Sequence, residues 1–110
     1  MPKRIQRKRT KGWRKPVGSV CIGRPSKWGN PFDWTVLAGI GCAHSFAKAW
    51  AVTQFRVAFQ DPSRPLDMER ACRFRWMREH IAELRSRDLV CWCRLSDPCH
   101  GDVLIEAANK

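Results

Sequence analysis

Leu89-Val90-Cys91-Trp92-Cys93-Arg94-Leu95-Ser96-Asp97-Pro98-Cys99-His100-Gly101-Asp102 begins as a buried strand and ends as the first turn of a helix. Three of the six cysteines and one of the three histidines lie within it. The short apolar run Asp88 to Cys93 is read as a strand. Ser96 or Asp97 can cap the helix that follows. Pro98 suits its first turn, where a missing N–H leaves nothing unsatisfied. That helix is expected from Pro98 to about Asn109, with Val103, Leu104 and Ala107 facing inward. A strand feeding a helix amino end is where α/β proteins build sites, at the carboxyl edge of a sheet.

Working outward, Asp67 to Arg85 carries Phe74, Met77, Ile81 and Leu84 three or four residues apart, the stripe of an amphipathic helix. Arg70, Arg73, Arg75, Arg78 and Arg85 surround that stripe and read as a solvated face. Phe46 to Phe59 is a second helix with few polar positions, capped by Ser45 and ended by Asp61-Pro62-Ser63-Arg64-Pro65. Phe46, Ala49, Trp50 and Val57 make one apolar side of it; Val52, Phe55 and Phe59 make another. Val17 to Ile22 is a β-branched run expected as a central strand, and Phe32 to Leu37 as a further short one. The class is therefore α/β. A small sheet of two to four strands is packed by about three helices, in the order β-(β)-α-α-β-α, with a basic N-terminal arm.

The chain of 110 residues fits a single domain, 17–110, able to bury one core. The net charge of +11 is uneven, since eight of the 21 Lys and Arg fall in residues 1–16 with no acid. The other thirteen face all ten Asp and Glu. Lys3, Arg4, Arg7, Lys8, Arg9, Lys11, Arg14 and Lys15 are expected to form a flexible arm with nucleic acid as partner. Neutralising phosphates releases counterions and gives sequence-blind, salt-sensitive affinity. No apolar run is long enough to span a membrane. The basic start is unlike a secretory signal, so a cytoplasmic location and reduced thiols are expected rather than disulfides.

Gly23-Arg24-Pro25-Ser26-Lys27-Trp28-Gly29-Asn30-Pro31-Phe32 is a non-regular loop rich in Gly and Pro. Arg24, Lys27 and Asn30 suit phosphate, carboxylate or base edges, and Trp28 can pack or stack. Three chemistries stay open for the cysteines. Cys99, in the first turn of the last helix, can be a thiolate nucleophile, with His100 and Asp102 as further catalytic candidates. Cys91, Cys93, Cys99 and His100 can form a zinc set, although that spacing is uncommon for zinc. Cys91 and Cys93 can also simply face the core, as Cys21, Cys42 and Cys72 are expected to.

The 23–32 loop resembles the N-terminal signature of the domain of unknown function 4326 family, which occurs in phages and bacteria. Asp88 to Cys93, followed by Pro98-Cys99-His100-Gly101-Asp102-Val103-Leu104, resembles its C-terminal one. The likeness is seen over 17–109, leaving the arm outside. It implies a compact intracellular domain whose two signatures share a site, and it brings no reaction. The expectation is a domain that binds a phosphate-bearing, nucleotide-type ligand or a nucleic-acid end in a cleft between the 23–32 loop and the 97–102 helix start. Arg24 and Lys27 would hold phosphate there and Asn30 would orient the ligand. Whether the ligand is also modified stays open. The alternative is a non-catalytic nucleic-acid-binding module with structural or zinc-held cysteines.

Overall fold

A computed structural model describes residues 2–24 and 26–110, so Pro25 of the 23–32 loop lies outside the described residues. Three strands form a parallel sheet in the order β1-β3-β2: β1 Arg4–Gln6, β2 Val20–Cys21 and β3 Leu89–Cys91. The helices are α1 Trp34–Gly39, α2 His44–Gln60, α3 Met68–His80 and α4 His100–Ala108, with a 3-10 turn, Ile81–Leu84, after α3. The chain is thus of the expected α/β class. β3 is central and buried along its whole length, as an all-apolar parallel strand between two neighbours must be. Ile5 and Cys21 both pair with Val90, so all three strands end at one edge.

Two elements differ from the sequence reading. Arg4–Gln6, inside the segment expected to be a flexible arm, is an edge strand bonded from Leu89 N to Lys3 O at 3.0 Å and from Arg7 N to Cys91 O at 2.6 Å. The exposed edge of β3 offers a ladder of backbone groups, and satisfying them outweighs the charge of the flanking residues. Phe32 to Leu37 is not a strand. Asp33 caps a short helix there by accepting from Thr35 N at 2.9 Å, and this local bond overrides β-branched propensity.

The buried face of α2 is Ala47, Ala51, Phe55, Ala58 and Phe59, whereas Phe46 is exposed. Alanines on that face let the helix approach its neighbours closely. α2 starts at His44 after Ala43, not at a Ser45 cap. α3 starts after Asp67, which accepts from Arg70 N, and buries Phe74 and Met77. Leu84 continues this stripe in the 3-10 turn. Several arginines here tie elements together rather than coat a free face. Arg73 donates to Gly29 O, Arg78 to Ala58 O and Arg85 to Ala108 O. In α4, Val103 and Leu104 are buried, with Ala108 rather than Ala107 completing the face. Phe55 stands at the centre of the core, edge-on to Phe74 at 5.2 Å and stacked with Phe59 at 6.2 Å. Among the described residues, no helix is long and apolar enough to cross a membrane.

Candidate functional site

The carboxyl ends of the strands open on a cavity of ≈ 440 Å³. The loop after β2 brings Gly23, Arg24, Asn30 and Phe32 to it, and β1 brings Gln6. α1 and α2 supply Trp34, Lys48, Ala51 and Val52. The turn from β3 to α4 supplies Cys91, Trp92, Cys93, Arg94, Asp97, Cys99 and His100. Parallel strands joined by crossovers leave such a crevice at the carboxyl edge, with loops free to line it.

The two stretches singled out from the sequence therefore meet, but not with every residue expected. Arg24 lines the cavity, its Nε and Nη2 donating to Asn30 O at 3.1 and 2.8 Å. Asn30 is committed to the scaffold: Nδ2 donates to Ala51 O at 3.1 Å and Oδ1 accepts from Phe32 N at 2.9 Å. Trp28 is core, only 6% exposed, and packs against Trp76 at 4.9 Å. Lys27 lies over the same Trp76 ring, Nζ to centroid 5.3 Å, and does not line the cavity. Asp102 is likewise outside the cavity, 3.5 Å from Arg4 Nε. An apolar sheet flank draws Trp28 inward and Lys27 with it, and the buried guanidinium draws Asp102.

Lys48 and Trp34 were not singled out, and Arg4 was expected in the nucleic-acid arm rather than at this site. Lys48 Nζ is 3.0 Å from Asp97 Oδ2 and 4.9 Å from the centre of the Trp34 ring. Helical spacing puts Lys48 one turn before Ala51 and Val52, a hint available once α2 is placed beside the cleft. Trp92 is flanked by Arg7 and Arg9 at 4.8 and 4.9 Å, so the basic segment after β1 runs along the mouth.

The sulfurs of Cys91, Cys93 and Cys99 lie within 4.8 Å of one another, those of Cys91 and Cys99 at 3.3 Å. These three can hold a metal ion. His100 does not belong to the group. Its Nε2 is 3.0 Å from Ile22 O. A carbonyl only accepts, so Nε2 carries a hydrogen; Nδ1 lies 3.7 Å from Cys99 Sγ. Cys99 is the N-cap of α4, not a residue within its first turn, and its sulfur accepts from Gly101 N at 3.4 Å. The helix amino end is thus occupied by the protein's own sulfur. Hydrogen bonds from Cys91 and then Cys93 hold the Cys99 thiol well below its ordinary range against the effect of burial, and His100 adds to this. Cys91 moves upward through its hydrogen bonds to Cys93 and Cys99 and through burial. Cys93 is pulled down by Cys91 but pushed further up by Cys99 and burial, to about 11. All six cysteines are free; Cys21 and Cys42 are half-buried, and Cys72 is exposed rather than core.

Arg4 holds this turn together. Its side chain is 7% exposed, and Nη2 donates to Leu95 O at 2.8 Å and Asp97 O at 2.9 Å. Nη1 is buried without a hydrogen-bond partner. Burial pulls the guanidinium down, but the Cys99 sulfur foremost, then Asp102 and Cys91, move it net upward.

Comparison with known families matches residues 5–110 to the family described as Domain of unknown function (DUF4326). The chain belongs to this family. The match takes in residues 5–16, so the segment after β1 belongs to the family's span rather than outside it. No curated protein and no solved structure matches significantly. Membership brings no reaction with it, and the chemistry has to come from the site.

Proposed function

We propose that the cavity binds a phosphate-bearing, nucleotide-type ligand or a nucleic-acid end, and that the basic segment beside it engages a polynucleotide. One observation carries this reading: cations and aromatic faces converge at the carboxyl edge of a parallel sheet, around a cavity of ligand size. Arg24, Lys48 and Arg94 line it against a single acid among the described residues, Asp97, and Trp34 and Trp92 offer faces for a base. Arg24 and Lys48 replace the expected Arg24 and Lys27 as phosphate partners. Guanidinium and ammonium groups suit phosphate oxygens, and aromatic rings stack on bases of any sequence.

The convergence of Cys91, Cys93 and Cys99 favours a second reading, a nucleic-acid-binding module whose cysteines hold zinc. Thiolate donors fit zinc among the common divalent ions. The two readings part in one experiment. A thermal-shift screen of mono- and dinucleotides on the full chain should raise the melting temperature, and Arg24→Ala or Lys48→Ala should remove most of the rise. No shift with any nucleotide, alongside tight polynucleotide binding, would leave the module and sink the ligand site.

A further inference from the structure

We propose that Cys91, Cys93 and Cys99 hold a zinc ion as an anionic three-thiolate centre, that Arg4 is its charge partner, and that the ion's fourth position opens into the cavity. Tetrahedral zinc with Zn–S of about 2.3 Å sets its sulfurs about 3.8 Å apart. The Cys91–Cys99 separation of 3.3 Å and the 4.8 Å limit for the set bracket that value. Cys91 and Cys99 are buried and Cys93 half-buried, and their sulfurs already lie close enough for one ion to reach all three.

Arg4 is the independent observation. A buried guanidinium needs an anion or a full set of acceptors. Two of its acceptors are the carbonyls of Leu95 and Asp97, and its carboxylate partner, Asp102, is 55% exposed at 3.5 Å. Nη1 is left without a partner, and the Cys99 sulfur is the foremost group that favours the charged guanidinium. Zinc with three thiolates carries one net negative charge, which one guanidinium balances. The Gly101 N–H on Cys99 Sγ, 3.4 Å away, is a second donor suited to a metal-bound sulfur. Such partners in the outer shell orient and tune the ligands.

The fourth position follows from what is missing from the sulfur cluster. His100 spends Nε2 on Ile22 O and lies outside the cluster. All three cysteines line the cavity, and Arg4 does not. Three protein ligands with an open position are the pattern of zinc sites that meet a substrate or water. Resting on the reading of the cavity as an anion site, an oxygen of the phosphate-bearing ligand completes the shell.

Full-length chain, reduced and stripped with a chelator, is titrated with Co²⁺ and then Zn²⁺. The expected result is saturable binding with strong sulfur-to-cobalt absorption, reversed by zinc. Thiols reactive toward a chromogenic reagent should fall from the six free cysteines to three. Arg4→Gln should weaken zinc binding about 10- to 100-fold, with Arg4→Lys partly restoring it. If the Gln variant does not fold, Cys93→Ser at a half-buried position takes its place and should dim the cobalt absorption. Adenosine monophosphate or inorganic phosphate should then shift the visible cobalt bands. No sulfur-to-cobalt absorption with all thiols still reactive overturns the metal centre, even where nucleotide still raises the melting temperature. Cobalt bands indifferent to nucleotide that does raise the melting temperature overturn the open position alone. Sulfur-to-cobalt absorption without any nucleotide shift overturns the cavity reading and the open position, and leaves the three-thiolate centre.

Discussion

Gly101 has no room for a methyl group. A Cβ built there would lie 2.8 Å from Ile22 Cδ1 and 3.2 Å from Arg4 Cδ. Both neighbours are fixed, Ile22 in the core and Arg4 by its two carbonyl acceptors. Gly101→Ala must therefore push α4 off the sheet or tilt the guanidinium away from the cysteines. Overpacking of this kind costs about 1–3 kcal/mol. The expected result is a melting temperature lower by several degrees and weaker cobalt absorption; an unchanged melt would show that the α4 contact is looser than these distances require. The sequence marked Gly101 only as part of a dense motif, because its reasons are the side chains of Ile22 and Arg4, far earlier in the chain. Arg4 was hidden for the same cause: nothing local separates a buried arginine from the seven other Lys and Arg of residues 1–16.

Among the elements, those with a long apolar stripe were legible before any coordinates. α3 and α4 follow helical period closely, although α3 gives way to a 3-10 turn at Ile81–Leu84 and α4 starts at His100 rather than Pro98, and β2 and β3 were legible as short apolar runs. β1 was not, because three residues of Arg-Ile-Gln make a strand only where β3 offers an unpaired edge. Deleting residues 2–6 should therefore lower stability markedly, whereas replacing Lys8 and Lys11 with Gln should leave the melting temperature within a degree or so. Equal melts for all of these would return β1 to an arm. α1 was misread because Trp34-Thr35-Val36-Leu37 is β-branched and apolar, and its helix depends on one capping carboxylate. The Thr35 hydroxyl, then the Thr35 N–H, hold the Asp33 carboxyl below its usual range, with Arg24 adding to them. Asp33 thus binds its proton more weakly when folded. It stabilises α1 above the ordinary aspartate range, and that contribution is lost as pH falls through its depressed value. Protection of the α1 amides, measured relative to their intrinsic exchange rates, should fall in acid in the native chain. It should depend less on pH in Asp33→Asn, which keeps an N-cap without the ionisation. Identical acid profiles for the two would remove the capping carboxylate from the account.

For the molecule as a whole, charge divides by what it is bonded to, and composition shows only the sum. Of the 21 Lys and Arg, Arg4, Arg73, Arg78 and Arg85 donate to backbone carbonyls and serve the fold. Arg24 and Lys48 line the cavity, Arg24 also donating to Asn30 O and pairing with Asp33, and Lys48 pairing with Asp97. Lys8, Arg9, Lys11, Arg14 and Lys15 are exposed, and Arg9 joins Arg7 on Trp92 beside the cavity mouth. A strand of nucleic acid lying along residues 7–15 would therefore arrive at the cavity with its end. For single strands the logarithm of affinity falls against the logarithm of salt with a slope of about −0.7 per phosphate contacted. Replacing Lys8, Lys11, Arg14 and Lys15 together by Gln should flatten that slope by up to about 3, with the melting temperature preserved. Arg24→Ala should instead leave the slope nearly intact and weaken the preference for a strand carrying a terminal phosphate over one without it. Filter binding or fluorescence anisotropy over a salt series measures both quantities on the same oligonucleotides. A slope unmoved by the fourfold replacement would take polynucleotide binding away from this segment. Arg75 of the α3 face would then be the next cation to replace, since it is exposed and its carboxylate partner Glu79 lies on the surface.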